Sequence, residues 1–597
     1  NISGAAADDI ITATASAAGG SITTGSAADA ITLNTGTDIV STGDGGDTVT
    51  GTLGGADVVD LQGGADTFGY QDSLAGDVRG GLGSDTLLIE AADGVVNLDL
   101  NAGTGFGSYN GFENISGSAA DDSITVTAST AGGTITTGTV GDSVTLNSGT
   151  DIVSTGNGAD TVTGTLDALD VVDLQGDNDS FDYQVLVGDV RGGTGSDTLV
   201  IDAADGAVTL DLNDTFAPGA YSDFENIDGT TANDIITVIA STDGGSITTG
   251  SAADAITLNT GNDIVLAGLG TDTIRATAST LTLGDNIDGQ GGNDTLAITG
   301  GGTVSMLVPV AVSSIEFVTL ADSVTFIANN TVGLTITGSG DADTITLGNV
   351  LQNVDAGAGD DSITMGAGSQ TINGMAGNDI VHATGAQLVG SQITGGDDSD
   401  TLDITSTSAN MNDAAVLTGF EFVTLSASGT TFTANGLNLT ITGSGGADII
   451  TLGSGVQVVN AANGNDSITL GAAGQTVNGQ ANDDAIYATG AQLVGSTIDG
   501  GADSDTLYIT SNSANMNSGS ITAIEFVTLQ VSGTTLVANN LDALVITGSA
   551  GGDTITTGDA TGTEQTVNAG AGNDSITLGA AGQTINGQAD DDTVHAT

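Results

Sequence analysis

The chain has 597 residues, with 95 Gly, 2 Pro and neither Cys nor Trp, a composition that excludes both a collagen helix and a disulfide scaffold. Its 74 acidic side chains face only Arg79, Arg191 and Arg275, and the formal net charge of -71 excludes nucleic acid and an anionic membrane surface as partners. Charge of that size must be solvated, spread along a long object, or neutralised by bound cations. Disorder would be the usual reading of such acidity. Here mean hydropathy is positive and the β-branched residues recur in phase, so a folded chain is expected.

The first segment, 1–113, sets the beat. Asp29, Asp38, Asp47, Asp57 and Asp66 follow one another at nine or ten residues, and each is followed two places on by Ile, Val or Phe. The beat returns at Asp142, Asp151, Asp160, Asp170 and Asp179, and again at Asp254, Asp263 and Asp272. A repeat this short cannot bury its own apolar side, so successive copies must stack. The expected fold is all-β, a right-handed parallel β-roll or β-solenoid. Segments such as Asp361–Met365 read as short strands, with Gly-rich corners supplying tight turns.

A longer period overlies the beat. Asn1-Ile2-Ser3-Gly4, running to Asp9, returns as Asn114 to Asp122 and again from Asn226, giving type A repeats over 1–113, 114–225 and a shortened 226–316. A second unit follows. Ile336-Thr337-Gly338-Ser339-Gly340 recurs at Ile441 and at Ile546, giving type B repeats over 317–421, 422–525 and a partial 526–597. The repeat phase at both ends reads as an array that continues beyond this sequence. No signal peptide is visible, and the most apolar stretch, Val304–Ile315, is too short to span a bilayer.

The chemistry-bearing motif is Gly80-Gly81-Leu82-Gly83-Ser84-Asp85-Thr86-Leu87, repeated as Gly192-Gly193-Thr194-Gly195-Ser196-Asp197-Thr198-Leu199. Variants run from Gly289 through Asp294 to Leu296, from Gly374 to Val381, and from Gly570 to Ile576. This resembles the glycine- and aspartate-rich nonapeptide of RTX proteins, the bacterial calcium-binding β-rolls that include surface-layer proteins and giant secreted adhesins. The resemblance implies calcium-type turns. Gly81, Gly83, Gly193 and Gly195 would let carbonyls converge, and Asp85, Asp197 and Asp294 would supply charge. In the second half, stacked pairs 18 residues apart extend the set to Asp343, Asp361 and Asp379, then Asp448, Asp466 and Asp484, then Asp574 and Asp592, with Asp505 added. Asp361 and Asp379 are expected to flank one site. The alternate half-coils carry Gln-Thr-Ile-Asn or Gln-Thr-Val-Asn, which places amides on the other side of the roll.

Catalysis has no constellation in the sequence. His382 and His595 hold equivalent repeat positions, filled by Tyr487 in the middle copy, which reads as a surface or corner residue. Lys is missing, and no Ser has a His companion in its own repeat segment. The expectation is therefore no enzyme. Instead, the resemblance implies structural repeat material outside a bacterial cell, stabilised by calcium and self-associating into a fibre or lattice. A cell-surface polysaccharide is a further candidate partner. Two other readings stand beside it: a ligand- or ice-binding adhesin stalk with Thr-x-Thr steps such as Thr344-Ile345-Thr346, and the repeat region of a secreted RTX enzyme.

Overall fold

The computed structural model describes the chain except for residues 5–9, 72–75, 91–92, 106, 186–187, 215–219, 308–310, 331–332, 542, 560–563 and 597. Several residues of the opening Asn1–Asp9 repeat and part of the apolar stretch after Val304 lie outside the described set. The fold is all-β, a parallel β-solenoid of short strands. Contacts divide it into two units, one formed by Asn1–Leu296 with Pro309–Ile315, the other by Ala297–Val308 with Glu316–Thr597.

Most coils in the second unit carry two strands, and the coils with an excursion carry three. Thr335–Thr337 stacks on Asn353–Asp355 and then on Thr371–Ala376, while Thr344–Thr346 stacks on Ser362–Thr364 and then on Ile380–Ala383. The Thr-Ile-Thr pattern explains the local choice. Thr and Ile favour extended backbone, and alternation sends the central residue inward and its neighbours outward. Thus Ile345, Ile363, Val381, Leu402 and Val423 form one fully buried column, and Ile336, Val354, Ile372 and Ile393 another. Fully burying each such side chain contributes about 1.5–3 kcal/mol. Within these apolar columns like stacks on like one coil away.

The first unit uses the same coil but swells its core where the chain makes a longer excursion between successive rungs. Phe68, Tyr70, Tyr109 and Phe112 gather inside one repeat, and Phe181, Tyr183, Tyr221 and Phe224 inside the next. The Tyr221 hydroxyl donates to the Gln184 carbonyl at 2.8 Å, so the buried ring brings no unsatisfied polar group with it. In the second unit the excursions instead hold a single helical turn, Gly385–Leu388. Its capping box joins Thr384 to Gln387, and Leu388 and Met411 are buried beside it.

The glycines of the nonapeptide motif are required by space as well as by conformation. Gly83 has φ +146°, and a Cβ there would lie 1.5 Å from the Gly64 carbonyl oxygen of the preceding coil. Gly81 has φ +115°, with the Gln62 carbonyl 2.2 Å from its Cβ position. Gly83→Ala should therefore cost about 1–3 kcal/mol in urea unfolding. Gly103→Ala, with nothing within 4 Å, should stay within about 0.5 kcal/mol. Equal midpoints for the two variants would contradict this packing.

Candidate functional site

The aspartates of the nine-residue beat are buried in the turns and linked from coil to coil. Backbone N–H of Asp29 donates to Oδ1 of Asp47 at 2.7 Å, Asp47 to Asp66 at 2.7 Å, and Asp66 to Asp85 at 2.9 Å. The line ends on a glutamate, for Asp85 N–H donates to Oε2 of Glu113 at 2.9 Å. A second line runs Asp142, Asp160, Asp179, Asp197 and closes on Glu225. Type B repeats build two more, Asp343 to Asp361, Asp379, Asp400 and Glu421, and Asp448 to Asp466, Asp484, Asp505 and Glu525. The recurring Phe-Glu and Ile-Glu segments thus supply a longer acidic side chain where the chain steps out of phase.

Only one carboxylate oxygen is used this way. Oδ2 of Asp47, Asp66, Asp85, Asp160, Asp179 and Asp197 is buried without a hydrogen-bond partner, as are those of Asp361, Asp379, Asp400, Asp466, Asp484, Asp505 and Asp574. A buried carboxylate with an idle oxygen is costly, by several kcal/mol, unless a proton or a cation compensates it. Burial accordingly raises these groups. Asp66, Asp361 and Asp484 are pushed up to about 7 and Asp179 to about 8, with the neighbouring aspartates of the same line adding to the effect.

The opposite column in type B repeats solves the same problem without charge. Gln457 accepts the Gly453 N–H at 2.8 Å, and its amide nitrogen donates to the Asn435 and Leu437 carbonyls at 3.0 and 2.9 Å. Gln475 repeats the arrangement one coil on, with Gly471, Gly453 and Gly455. A glutamine carries both an acceptor and donors, whereas an ionised aspartate has no donor to offer. Balance in the Asp turns must come from outside the side chain.

A hard divalent cation fits that need. The free Oδ2 of Asp85 and the Gly111 carbonyl of the next coil both approach the bare Cα of Gly80, at 2.8 and 2.1 Å from its Cβ position. Asp197 and the Asp223 carbonyl meet in the same way over Gly192, Asp379 and the Gly395 carbonyl over Gly374. Carboxylate and carbonyl oxygens are the donors calcium takes. Among the described residues no three His, Asp or Glu side chains converge as a metal cage, so most donors would be backbone carbonyls.

The residues singled out by sequence fall into three groups. Asp85, Asp197, Asp361, Asp379, Asp466, Asp484, Asp505 and Asp574 are buried rungs with an idle Oδ2. Asp294 is a fully buried rung whose Oδ1 accepts from Asp272 at 2.9 Å, and Asp592 is a half-buried one accepting from Asp574 at 3.0 Å. Asp343 and Asp448 already have both oxygens engaged. Gly193 and Gly195, at φ +116° and +154°, shape the second motif turn as Gly81 and Gly83 shape the first. Asp361 and Asp379 are indeed joined one coil apart, the Asp361 N–H donating to Asp379 Oδ1 at 2.8 Å.

Further rungs lie outside that set. Asp47, Asp66, Asp160, Asp179 and Asp400 have the same geometry; the beat itself was the signal for the first four, whereas Asp400 lies 21 residues after Asp379 and out of the beat. In type A the opposite column also carries aspartates, and both oxygens of Asp38 and Asp151 are buried without partners.

His382 is better connected than its repeat position suggests, and the expectation that no serine has a histidine companion in its own repeat fails at Ser362. Its Nδ1 lies 2.7 Å from Asp403 Oδ2 and its Nε2 3.2 Å from Ser362 Oγ. The three sit on the outward face of adjacent parallel strands, where backbone N–H groups are committed to the sheet, as Ile380 N–H is to the Asp361 carbonyl. The equivalent rank one repeat on holds Tyr487 and Tyr508, stacked at 4.6 Å.

The chain matches no family model and no curated protein sequence.

The raised carboxylates fix the sign of the pH response. Their folded pKa lies above the unfolded value near 4, so their contribution is fully present below about pH 4 and is lost as pH rises through about 6 to 8. In excess chelator, the melting temperature should fall steadily from pH 4 to pH 8. Scanning calorimetry that found it rising over that range would contradict the assignment.

Proposed function

We propose that the chain is the structural repeat region of an extracellular bacterial surface fibre or surface layer, stabilised by calcium in the aspartate turns. The observation that carries this reading is the row of buried, idle Oδ2 atoms at successive coils. Asp85, Asp197, Asp361, Asp379, Asp466, Asp484, Asp505 and Asp574 would hold the ions, together with the unanticipated rungs Asp66, Asp179 and Asp400. Calcium would supply positive charge to oxygen donors of adjacent coils and tie those coils together. The residues themselves set the register, since each Oδ1 holds the N–H of the coil before.

Location follows from affinity. With one or two carboxylates per turn and carbonyls for the rest, each site has little ligand charge, the regime of extracellular modules that bind at about 0.1–1 mM. Calcium at that level is found outside cells. The RTX resemblance of the Gly80–Leu87 and Gly192–Leu199 motifs points the same way. Among the described residues no helix is long and apolar enough to cross a membrane.

A flat ligand-binding face is less well supported. The outward ranks around Thr344 and Thr346 pass through Ser362, Ile380, Thr401 and Phe422 on one side and Thr364, His382, Asp403 and Thr424 on the other. No unbroken threonine row forms there.

The test is far-ultraviolet circular dichroism near pH 7.5 with excess chelator and then with calcium returned. The β signal should be lost or its melting temperature lowered by more than about 10 °C, and about 1 mM calcium should restore it where magnesium restores less. An unchanged melt in chelator, with no retained calcium, would overturn the reading. Electron microscopy with millimolar calcium tests assembly. Filaments or sheets are expected, because divalent ions screen and bridge the acidic flanks. Isolated particles at every protein concentration would remove self-association.

A further inference from the structure

Within the type B ladders the first aspartate is built unlike those that follow. Asp448 Oδ1 accepts the Thr430 N–H at 2.5 Å, and its Oδ2 accepts the Ser444 N–H at 2.7 Å and the Ser444 hydroxyl at 3.0 Å. Asp553 is held identically by Ser549, at 2.7 and 2.9 Å, and Asp343 by Ser339, at 2.8 and 3.0 Å. In all three copies, a serine four residues earlier occupies the oxygen that lies idle further along.

The cause is a backbone choice at that same position. Behind Asp466, Asp484 and Asp505 stand Ala462, Gln480 and Gly501, with φ +79°, +77° and +112°. A positive φ turns the peptide N–H away from the carboxylate, and Oδ2 of each of these rungs has no partner. Ser339, Ser444 and Ser549 stay out of the positive-φ region and donate. The Gln turns agree independently. Gly453 and Gly471, four residues before Gln457 and Gln475, are also outside that region, and both cap the side-chain oxygen.

We propose that Asp343, Asp448 and Asp553 are cation-free rungs, and that within the type B ladders the backbone conformation four residues before the aspartate decides whether a turn takes calcium. Serine there substitutes an N–H and a hydroxyl for the ion. Each type B repeat therefore begins on a rung whose bonds close without metal, and calcium is confined to the rungs after it. This rests on the calcium reading above.

Calcium bound per chain, measured by equilibrium dialysis on the whole protein, separates the two claims. Asp448→Asn should leave the count unchanged, and Asp466→Asn should lower it by at least one ion. Loss of calcium from both variants overturns the cation-free assignment while sparing the calcium reading. Retention of every ion by Asp466→Asn overturns the assignment of calcium to later rungs. A wild-type chain that binds no calcium overturns the reading beneath. Should either variant fail to fold, wild-type crystals grown in calcium decide the matter by anomalous scattering. Metal peaks beside Asp466 and Asp484, with none beside Asp448 and Asp553, are expected; a peak at either of the latter two overturns the proposal.

Discussion

Everything in this molecule turns on a carboxylate buried between coils with one oxygen committed and the other idle. The committed oxygen is a structural bond, since it receives the N–H of the corresponding residue in the preceding coil and so fixes register at every step. The idle oxygen is a liability in a low-dielectric interior. A chain with three cationic side chains in 597 residues cannot answer it from within. Protons or metal ions must, and the stability of the fold becomes a function of the solution around it.

The same turn is solved in several chemistries along the chain. Glutamine supplies donor and acceptor together, as at Gln370, whose oxygen takes the Gly366 N–H at 3.1 Å while its nitrogen reaches the Gly348 carbonyl at 2.9 Å. Serine caps the first rung of a type B ladder. Glutamate closes a ladder where the chain leaves its phase, because its extra methylene spans the longer step to Asp85 or Asp400. Since every rung touches only its neighbours, such changes can be made one coil at a time without disturbing the apolar columns beneath. That locality lets repeats of two kinds coexist in one chain.

Much of the fold was legible because its cause is periodic. The Asp-x-apolar beat foretold stacked coils, and Thr-Ile-Thr segments foretold strands with one inward residue. The motif glycines foretold turns at Gly81 and Gly83 that admit no Cβ. What stayed hidden depends on geometry between coils. Asp448 and Asp466 share the sequence register, yet a backbone dihedral four residues earlier leaves only the second with an idle oxygen. Glu113 and Glu225 fall outside the Asp beat, and only the stacking reveals them as the last rung of a ladder. The contact of His382 with Asp403 joins residues of adjacent coils whose separation follows from an inserted helical turn, not from the beat.

The most direct test is amide hydrogen exchange along the ladders, read residue by residue at pH 8 with calcium and with chelator. The N–H groups of Asp361, Asp379, Asp466 and Asp484 donate to buried carboxylates that need compensation, so they should be among the slowest to exchange in calcium and lose protection when it is removed. Equal protection of those four amides in calcium and in chelator would contradict the account.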